Sequence, residues 1–152
     1  MPSPNRLALS ATLHCLTGCA IGEVLGMVIA TALGWHDLPS VLLAILLAFA
    51  FGYALTIRPL VASGMPLRRA GRLALASDTL SIVTMEVVDT AILLVIPGAM
   101  AAGLLDPLFW GSLAVALVIA AVVAYPVNRW LILRGRGHAL VHEGHVSVHD
   151  SH

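Results

Sequence analysis

Four of the eight acidic residues lie within long apolar stretches, where a carboxylate has no water to solvate it. They are Glu23, Asp78, Glu86 and Asp89. An ionisable side chain inside a bilayer costs several kcal/mol, and by default it indicates a functional site or a tight internal pair. These carboxylates are therefore candidate residues of an ion or proton pathway. The alternative is a carboxyl cluster that only holds helices together.

The first apolar stretch, residues 8–34, combines sulfur and carboxylate groups on one face. At about 100° per residue, Cys15, Cys19 and Glu23 fall on the same side of a helix, with His14 at its margin. The two cysteines are stacked on consecutive turns, which is a poor geometry for a disulfide, so we expect free thiols. A stripe of small residues borders the face and predicts close helix packing. The stripe consists of Gly18, Gly22 and Gly26.

The third apolar stretch, residues 73–97, carries a polar face of similar width. Its members are Asp78, Ser81, Met85, Glu86 and Asp89. If this face opposes that of the first stretch, a file of polar groups runs through the interior of the protein. The file would begin with His14, Cys15 and Asp78 near one end and would reach the other three carboxylates near mid-membrane.

The two polar faces are also related by a weak internal repeat. Offset by 63 residues, the segment 14–23 aligns with 77–86 and places Glu23 against Glu86. This offset predicts two helical hairpins in the same orientation. Parallel repeats of this kind occur in transporters, with sites at the interface between the repeats.

The ligand types on these faces suit a borderline or soft transition metal. Thiolate, imidazole, thioether and carboxylate favour copper or zinc over magnesium. The candidate metal ligands in the helices are His14, Cys15, Cys19 and Met85, but no spacing among them matches a standard zinc motif. The alternative is that the small polar residues pack a helix seam and that Met85 fills the core.

The C-terminal segment adds a second candidate metal site. Five histidines follow the fourth apolar stretch at spacings of 4, 3, 4 and 3, which places them on one side of a helix if this tail is helical. Histidine-rich tracts are metal-binding by composition. A solvated disordered tail and a pH-responsive tail are the alternatives. The histidines are His138, His142, His145, His149 and His152.

Composition predicts an integral membrane protein. The 152 residues are 59% hydrophobic and only 11% charged, whereas soluble domains carry about a quarter charged residues. A spanning helix needs about 20 mostly apolar residues. We therefore predict an all-α, polytopic fold in which residues 1–134 form a four-helix transmembrane domain, followed by a cytoplasmic histidine-rich tail, 135–152. The predicted helices cover 8–34, 38–58, 73–97 and 108–131.

The arginines predict the orientation in the membrane. All eight basic residues are arginines, and they lie before the first stretch, between the second and third, and after the fourth. The positive-inside rule then places both termini in the cytoplasm, as expected for a multi-pass protein of the bacterial inner membrane. The net charge is zero and gives no indication of nucleic-acid binding. The arginines are instead expected to face lipid head groups.

The segments 14–23, 77–89, 97–100 and 109–130 carry a family resemblance. Over nearly its whole length the chain resembles a domain-of-unknown-function family of small bacterial four-helix membrane proteins. Some members of that family carry a copper-oxidase-like description. The resemblance implies the fold, but it implies no established activity. The chain has no cupredoxin domain and is not expected to be a multicopper oxidase.

These observations support three hypotheses about function. The first is a membrane protein that transports or binds copper or zinc through groups on helices 1 and 3. The second is a proton or cation channel or transporter that needs only the intramembrane carboxylates. The third is a membrane assembly factor or structural partner without transport.

An enzyme and an organic cofactor are not expected. His14 and Cys15 are adjacent on a helix and point about 100° apart, so they do not form a nucleophile–base pair. Four helices enclose little space, and we therefore predict a homo-oligomer in the bilayer. The glycine stripe of helix 1 is its expected close-packed surface.

Overall fold

The computed structural model describes residues 3–36 and 38–134. This part of the chain is all α-helical, with four helices joined by short loops and no strand. The helices are α1 (Pro4–Ala32), α2 (Leu38–Ala62), α3 (Leu67–Val95) and α4 (Pro107–Leu133). The predicted all-α fold is confirmed. The histidine-rich tail predicted for 135–152 lies outside the described residues.

The helices extend beyond the predicted apolar stretches, mainly at the ends that carry arginine. α3 begins six residues earlier than expected, because its first turns contain Arg68, Arg69 and Arg72. Arginine is a good helix former, whereas the prediction counted only apolar residues. At the other end, α3 stops before Pro97, and Gly98 has a φ of 78°, a conformation that favours glycine. Both signals were visible in the sequence.

The four helices form an up-down-up-down bundle. Each helix packs along two neighbours, in the order α1, α2, α3, α4 and back to α1, and α1 also contacts α3 across the centre. The start of α1 lies beside the end of α4, where Arg129 Nε donates a hydrogen bond of 2.8 Å to Asn5 Oδ1. All arginines of the described residues therefore lie toward one end of the bundle, here called the arginine end.

The closest helix contact joins α1 to α2 through the glycine stripe. A Cβ on Gly18 would lie 2.8 Å from Gly52 Cα, and a Cβ on Gly26 would lie 2.6 Å from Ala44 Cα. A Cβ on Gly22 would overlap the backbone of Ala48. The stripe packs closely, but against a helix of the same chain. The predicted homo-oligomer therefore needs another surface.

The outer surface of the bundle is apolar on every side. Large exposed hydrophobic side chains include Leu46 on α2, Val87 and Leu94 on α3, and Val122 on α4. The helices α1, α2 and α4 are long and apolar enough to cross a membrane. α3 is as long as α1, at 29 residues, but three acidic residues lie within its apolar part. A surface of this kind is compatible with contact with lipid.

α1 and α3 have matching lengths and matching buried positions. They begin 63 residues apart and end 63 residues apart, the offset of the weak sequence repeat. Five consecutive buried positions of α1 have buried counterparts in α3 at this offset. The pairs are Gly18 with Ser81, Cys19 with Ile82, Gly22 with Met85, Glu23 with Glu86, and Gly26 with Asp89. The same stretch of each helix thus faces the interior, with smaller residues in α1 than in α3 at most of these positions.

Gly22→Ala should destabilise the bundle. Its methyl group would overlap the α2 backbone, and overpacking costs about 1–3 kcal/mol. Gly111→Ala is the matched control, because an added Cβ there has no neighbour within 4 Å. Elsewhere in a helix, glycine to alanine stabilises by roughly 0.5–1 kcal/mol. Denaturant titration in detergent micelles measures both free energies of unfolding. Equal stability of the two variants would contradict the close contact.

Candidate functional site

Three carboxyl groups meet in the interior between α1 and α3. Glu23 of α1 lies beside Glu86 and Asp89 of α3. All three side chains are more than nine-tenths buried, with Asp89 only 3% exposed. Glu23 and Glu86 occupy the same position in their helices, 20 residues along, and Asp89 follows one turn later. The sequence repeat thus brings equivalent carboxyls to the same depth.

Most of the carboxyl oxygens in this cluster have no hydrogen-bond donor. Among the described residues, none donates to either oxygen of Glu23, to Glu86 Oε1 or to Asp89 Oδ1. A buried polar group without a partner is costly, and a buried charge more so. A proton on one carboxyl can bridge Glu23 and Asp89, but one proton cannot satisfy all of these oxygens. These carboxyls must therefore carry protons or be balanced by a cation.

The three carboxyls line a cavity of about 550 Å³, here called the acidic cavity. It extends from the carboxyls toward the end of the bundle opposite the arginine end, where Trp35, His36 and the loop residue Gly103 line it. The walls between are largely apolar. They include Met27, Ile45, Leu93, Phe109 and Leu113.

A second cavity, of about 210 Å³, lies nearer the arginine end and is here called the His14 cavity. The His14 imidazole Nε2 is 3.2 Å from Thr56 Oγ1, and the ring also lies near the Asp78 carboxyl. Ser77 Oγ donates a 2.8 Å hydrogen bond to Asp78 Oδ1. Asp78 Oδ2 has no partner among the described residues.

A packed barrier of Cys19, Ile82 and Met85 separates the two cavities. These are the largest side chains with less than 2% exposure, and they belong to one core cluster. Ile82 packs against Gly52, where its Cδ1 would be 2.8 Å from a Cβ. Cys19 is the polar member of the barrier. Its thiol interacts with Cys15 on the side of the His14 cavity and with Glu86 on the side of the acidic cavity.

The structure divides the predicted polar file into two groups. Glu23, Glu86 and Asp89 share the acidic cavity, whereas His14, Cys15 and Asp78 line the other cavity. Cys15 and Cys19 are buried free thiols, as expected. Asp78 is about three turns of α3 from Asp89, so these four carboxylates do not form one cluster.

Sequence reasoning missed the polar residues of α2 and α4. Buried Asn128 of α4 donates a 2.9 Å hydrogen bond from Nδ2 to Thr12 Oγ1 of α1. On α2, the Tyr53 hydroxyl is 2.7 Å from Thr79 Oγ1 of α3, and Thr56 contacts the imidazole of His14. A single uncharged polar residue in an apolar helix is a weak indication of a buried polar contact. Its side chain can instead form a hydrogen bond with the backbone of its own helix.

The predicted metal ligands do not assemble into a preformed metal site within the described residues. No three His, Cys, Asp or Glu side chains there form a group that could hold a metal ion. Cys15, Cys19 and Met85 nevertheless lie in one core cluster, while His14 lies toward Thr56. The tail histidines His138, His142, His145, His149 and His152 lie outside the described residues.

Shortening Ile82 should expose the thiol in the barrier. In a Cys15→Ser background, Ile82→Ala is expected to speed the reaction of Cys19 with N-ethylmaleimide, because thiol reactivity depends on access. Val87→Ala is the matched control on the same helix, since Val87 is 63% exposed on the outer surface. Mass spectrometry measures labelling, and circular dichroism checks folding. An unchanged rate in folded Ile82→Ala would contradict the barrier.

The chain belongs to the family described as Domain of unknown function (DUF4396), whose family model matches residues 5–137. This match confirms the family resemblance inferred from the sequence. The function of the family is not established. No curated protein and no solved structure shows significant similarity to the chain.

Proposed function

We propose that this member of the family is an integral membrane protein that moves a cation across the bilayer through carboxyl groups on α1 and α3. One observation carries the proposal. Glu23, Glu86 and Asp89 are buried, largely without hydrogen-bond partners and on the wall of one cavity. Buried ionisable groups in membrane segments characteristically line ion paths and proton relays.

In this proposal α3 spans the membrane like the other three helices. Its 23 residues from Leu73 to Val95 are long enough to cross a bilayer. The acids within this stretch lie on the inward side, where Glu86 and Asp89 are buried, whereas Val87 and Leu94 are exposed. The carboxyls therefore do not contact lipid. A helix of this composition is acceptable in a bilayer when its polar side faces the bundle interior.

We place the arginine end at the cytoplasmic face of the bacterial inner membrane, following the positive-inside rule. The acidic cavity then extends toward the outer face and the His14 cavity toward the cytoplasm. The three tryptophans are about half-exposed near the two ends of the bundle, as is typical of residues at membrane interfaces. Their positions support a bundle that crosses the bilayer along its long axis.

A path for protons can be followed from one cavity to the other. Carboxyls exchange protons in the acidic cavity, and Glu86 lies next to the Cys19 thiol. That thiol contacts Cys15, on the wall of the His14 cavity, which also contains Asp78 and an imidazole. Cys19, the polar member of the barrier, is the link between the two cavities in this series.

Copper or zinc transport is the second candidate. Cys15, Cys19 and Met85 belong to one core cluster, and this favours it, because thiolate and thioether ligands suit soft metals. The histidine-rich tail would then gather metal at the cytoplasmic face. Transport needs sites that release their cargo, so incomplete ligand sets are not an obstacle. Metal binding without flux would instead indicate an assembly factor.

Glu23→Gln should abolish most proton or cation flux. The substitution keeps the size of the side chain but removes the ability to exchange a proton or balance a cation. Flux is measured in proteoliposomes with a pH-sensitive dye and an imposed potential. Asp106→Asn is the matched control, because Asp106 caps α4 at an exposed position and asparagine caps equally well. Full flux through folded Glu23→Gln would overturn the proposal.

The double variant Cys15→Ser/Cys19→Ser should separate the two candidates. If protons or a hard cation pass, flux persists in the variant and survives strong chelation, because the serine hydroxyls can still donate and accept hydrogen bonds along the path. If copper or zinc passes, uptake of that metal into the vesicles falls at least about tenfold, because the soft ligands are lost. Uptake of copper or zinc that is unchanged in both this variant and Glu23→Gln would exclude a direct role of these residues in metal transport.

A further inference from the structure

The acidic cavity has a composition that the passage of protons or bare metal ions does not require. Its carboxyls lie at the inner limit, on α1 and α3, and most of the remaining wall is apolar or aromatic. Met27, Ile45, Leu93 and Phe109 contribute to that wall. A small hydrated ion gains nothing from such surfaces, because it must keep water or oxygen ligands around it.

The volume of the cavity points in the same direction. About 550 Å³ is far more than a dehydrated ion fills, and it lies within the range of pockets that bind small organic molecules, about 300–1,000 Å³. Such pockets are typically apolar with a few convergent polar groups. Here the charged groups at the inner limit are Glu23, Glu86 and Asp89, and the hydroxyls of Thr31, Ser40 and Thr90 are further polar groups of the wall.

The negative character of the carboxyls is not balanced by basic residues within the cavity. No arginine lies among the described residues that line it, and its one basic side chain is His36, at the exposed mouth. A ligand that neutralises the carboxyls must therefore bring its own positive charge. Apart from a proton shared with Asp89, the Glu23 oxygens have no donor among the described residues, and a protonated amine that displaces this proton can donate hydrogen bonds to them.

We propose that the acidic cavity binds an organic ammonium ion with an apolar or aromatic body. The ammonium group lies against Glu23, Glu86 and Asp89, and the body occupies the space between the Ile45 and Leu93 side chains. One positive charge enters the cluster as one proton leaves it, so the charge of the site is conserved. An organic ammonium ion would be the class of molecule that the proposed transport path carries. Transport of this ion rests on the proposed function, whereas its binding in the acidic cavity does not.

The test measures binding of a defined probe to the purified full chain in detergent micelles. Isothermal titration calorimetry compares 2-phenylethylammonium with 2-phenylethanol, which has a similar body without the charge, and with methylammonium, which has the charge without the body. We expect saturable binding of 2-phenylethylammonium alone. Binding should release protons, measured by repeating the titration in buffers that differ in ionisation enthalpy.

Two variants locate the site. Glu23→Gln/Asp89→Asn should weaken binding of 2-phenylethylammonium at least about tenfold, because charge-assisted hydrogen bonds are lost. Asp106→Asn is the matched control, since Asp106 is an exposed carboxyl that caps α4 and does not line the acidic cavity. It should bind as tightly as the wild type. Circular dichroism and gel filtration establish that each variant is folded.

Three results would overturn the inference. They are equal binding of 2-phenylethanol, equal binding of methylammonium, and equal weakening by Asp106→Asn. If Leu93→Trp, which fills the apolar part of the cavity, leaves binding unchanged in a folded protein, the body of the ligand does not lie there and the inference also fails.

The outcomes for transport are separate from those for binding. Proton flux that depends on Glu23, without binding of 2-phenylethylammonium, would overturn this inference and leave the proposed function intact. Specific binding of the probe without any flux would support the cavity assignment and overturn the proposed function. Uptake of the probe into proteoliposomes, abolished by Glu23→Gln, would support both.

Discussion

The backbone contact between α1 and α2 determines how the rest of the bundle is arranged. Because Gly18, Gly22 and Gly26 have no side chains, α1 lies directly on Gly52, Ala48 and Ala44 of α2. The contact fixes the rotation of α1 about its axis. With the glycine side of the helix against α2, the neighbouring side, with Cys15, Cys19 and Glu23, is turned toward α3. Small residues at one interface thus orient reactive groups at another.

The repeat of α1 in α3 explains both the symmetry and the asymmetry of the interior. Equivalent positions bring Glu23 and Glu86 to one depth, which concentrates acids that would otherwise be separate. At the neighbouring positions the residues differ in size. Cys19 corresponds to Ile82, and Gly22 corresponds to Met85. The larger α3 side chains fill the centre and form the barrier, while the smaller α1 residues allow α2 to approach.

The interior combines stability with an electrostatic cost. Apolar packing and the α1–α2 contact hold the bundle together, whereas the carboxyl oxygens around the acidic cavity remain without donors. Natural proteins commonly accept such local costs at functional sites. A cation or a proton at Glu23, Glu86 and Asp89 removes that cost for as long as it stays.

The sequence by itself determined the four helices, the free thiols, the family and the inward direction of the acids, because these follow from local composition and helical periodicity. It also indicated the α1–α3 repeat. Only the tertiary structure decided which helix the glycine stripe contacts, that Asp78 is separated from Asp89, and that Thr56 and Asn128 join the polar interior. It also decided that a barrier divides two cavities. These features depend on the rotation and register of each helix against its neighbours, which side-chain packing sets and which periodicity along one chain does not contain.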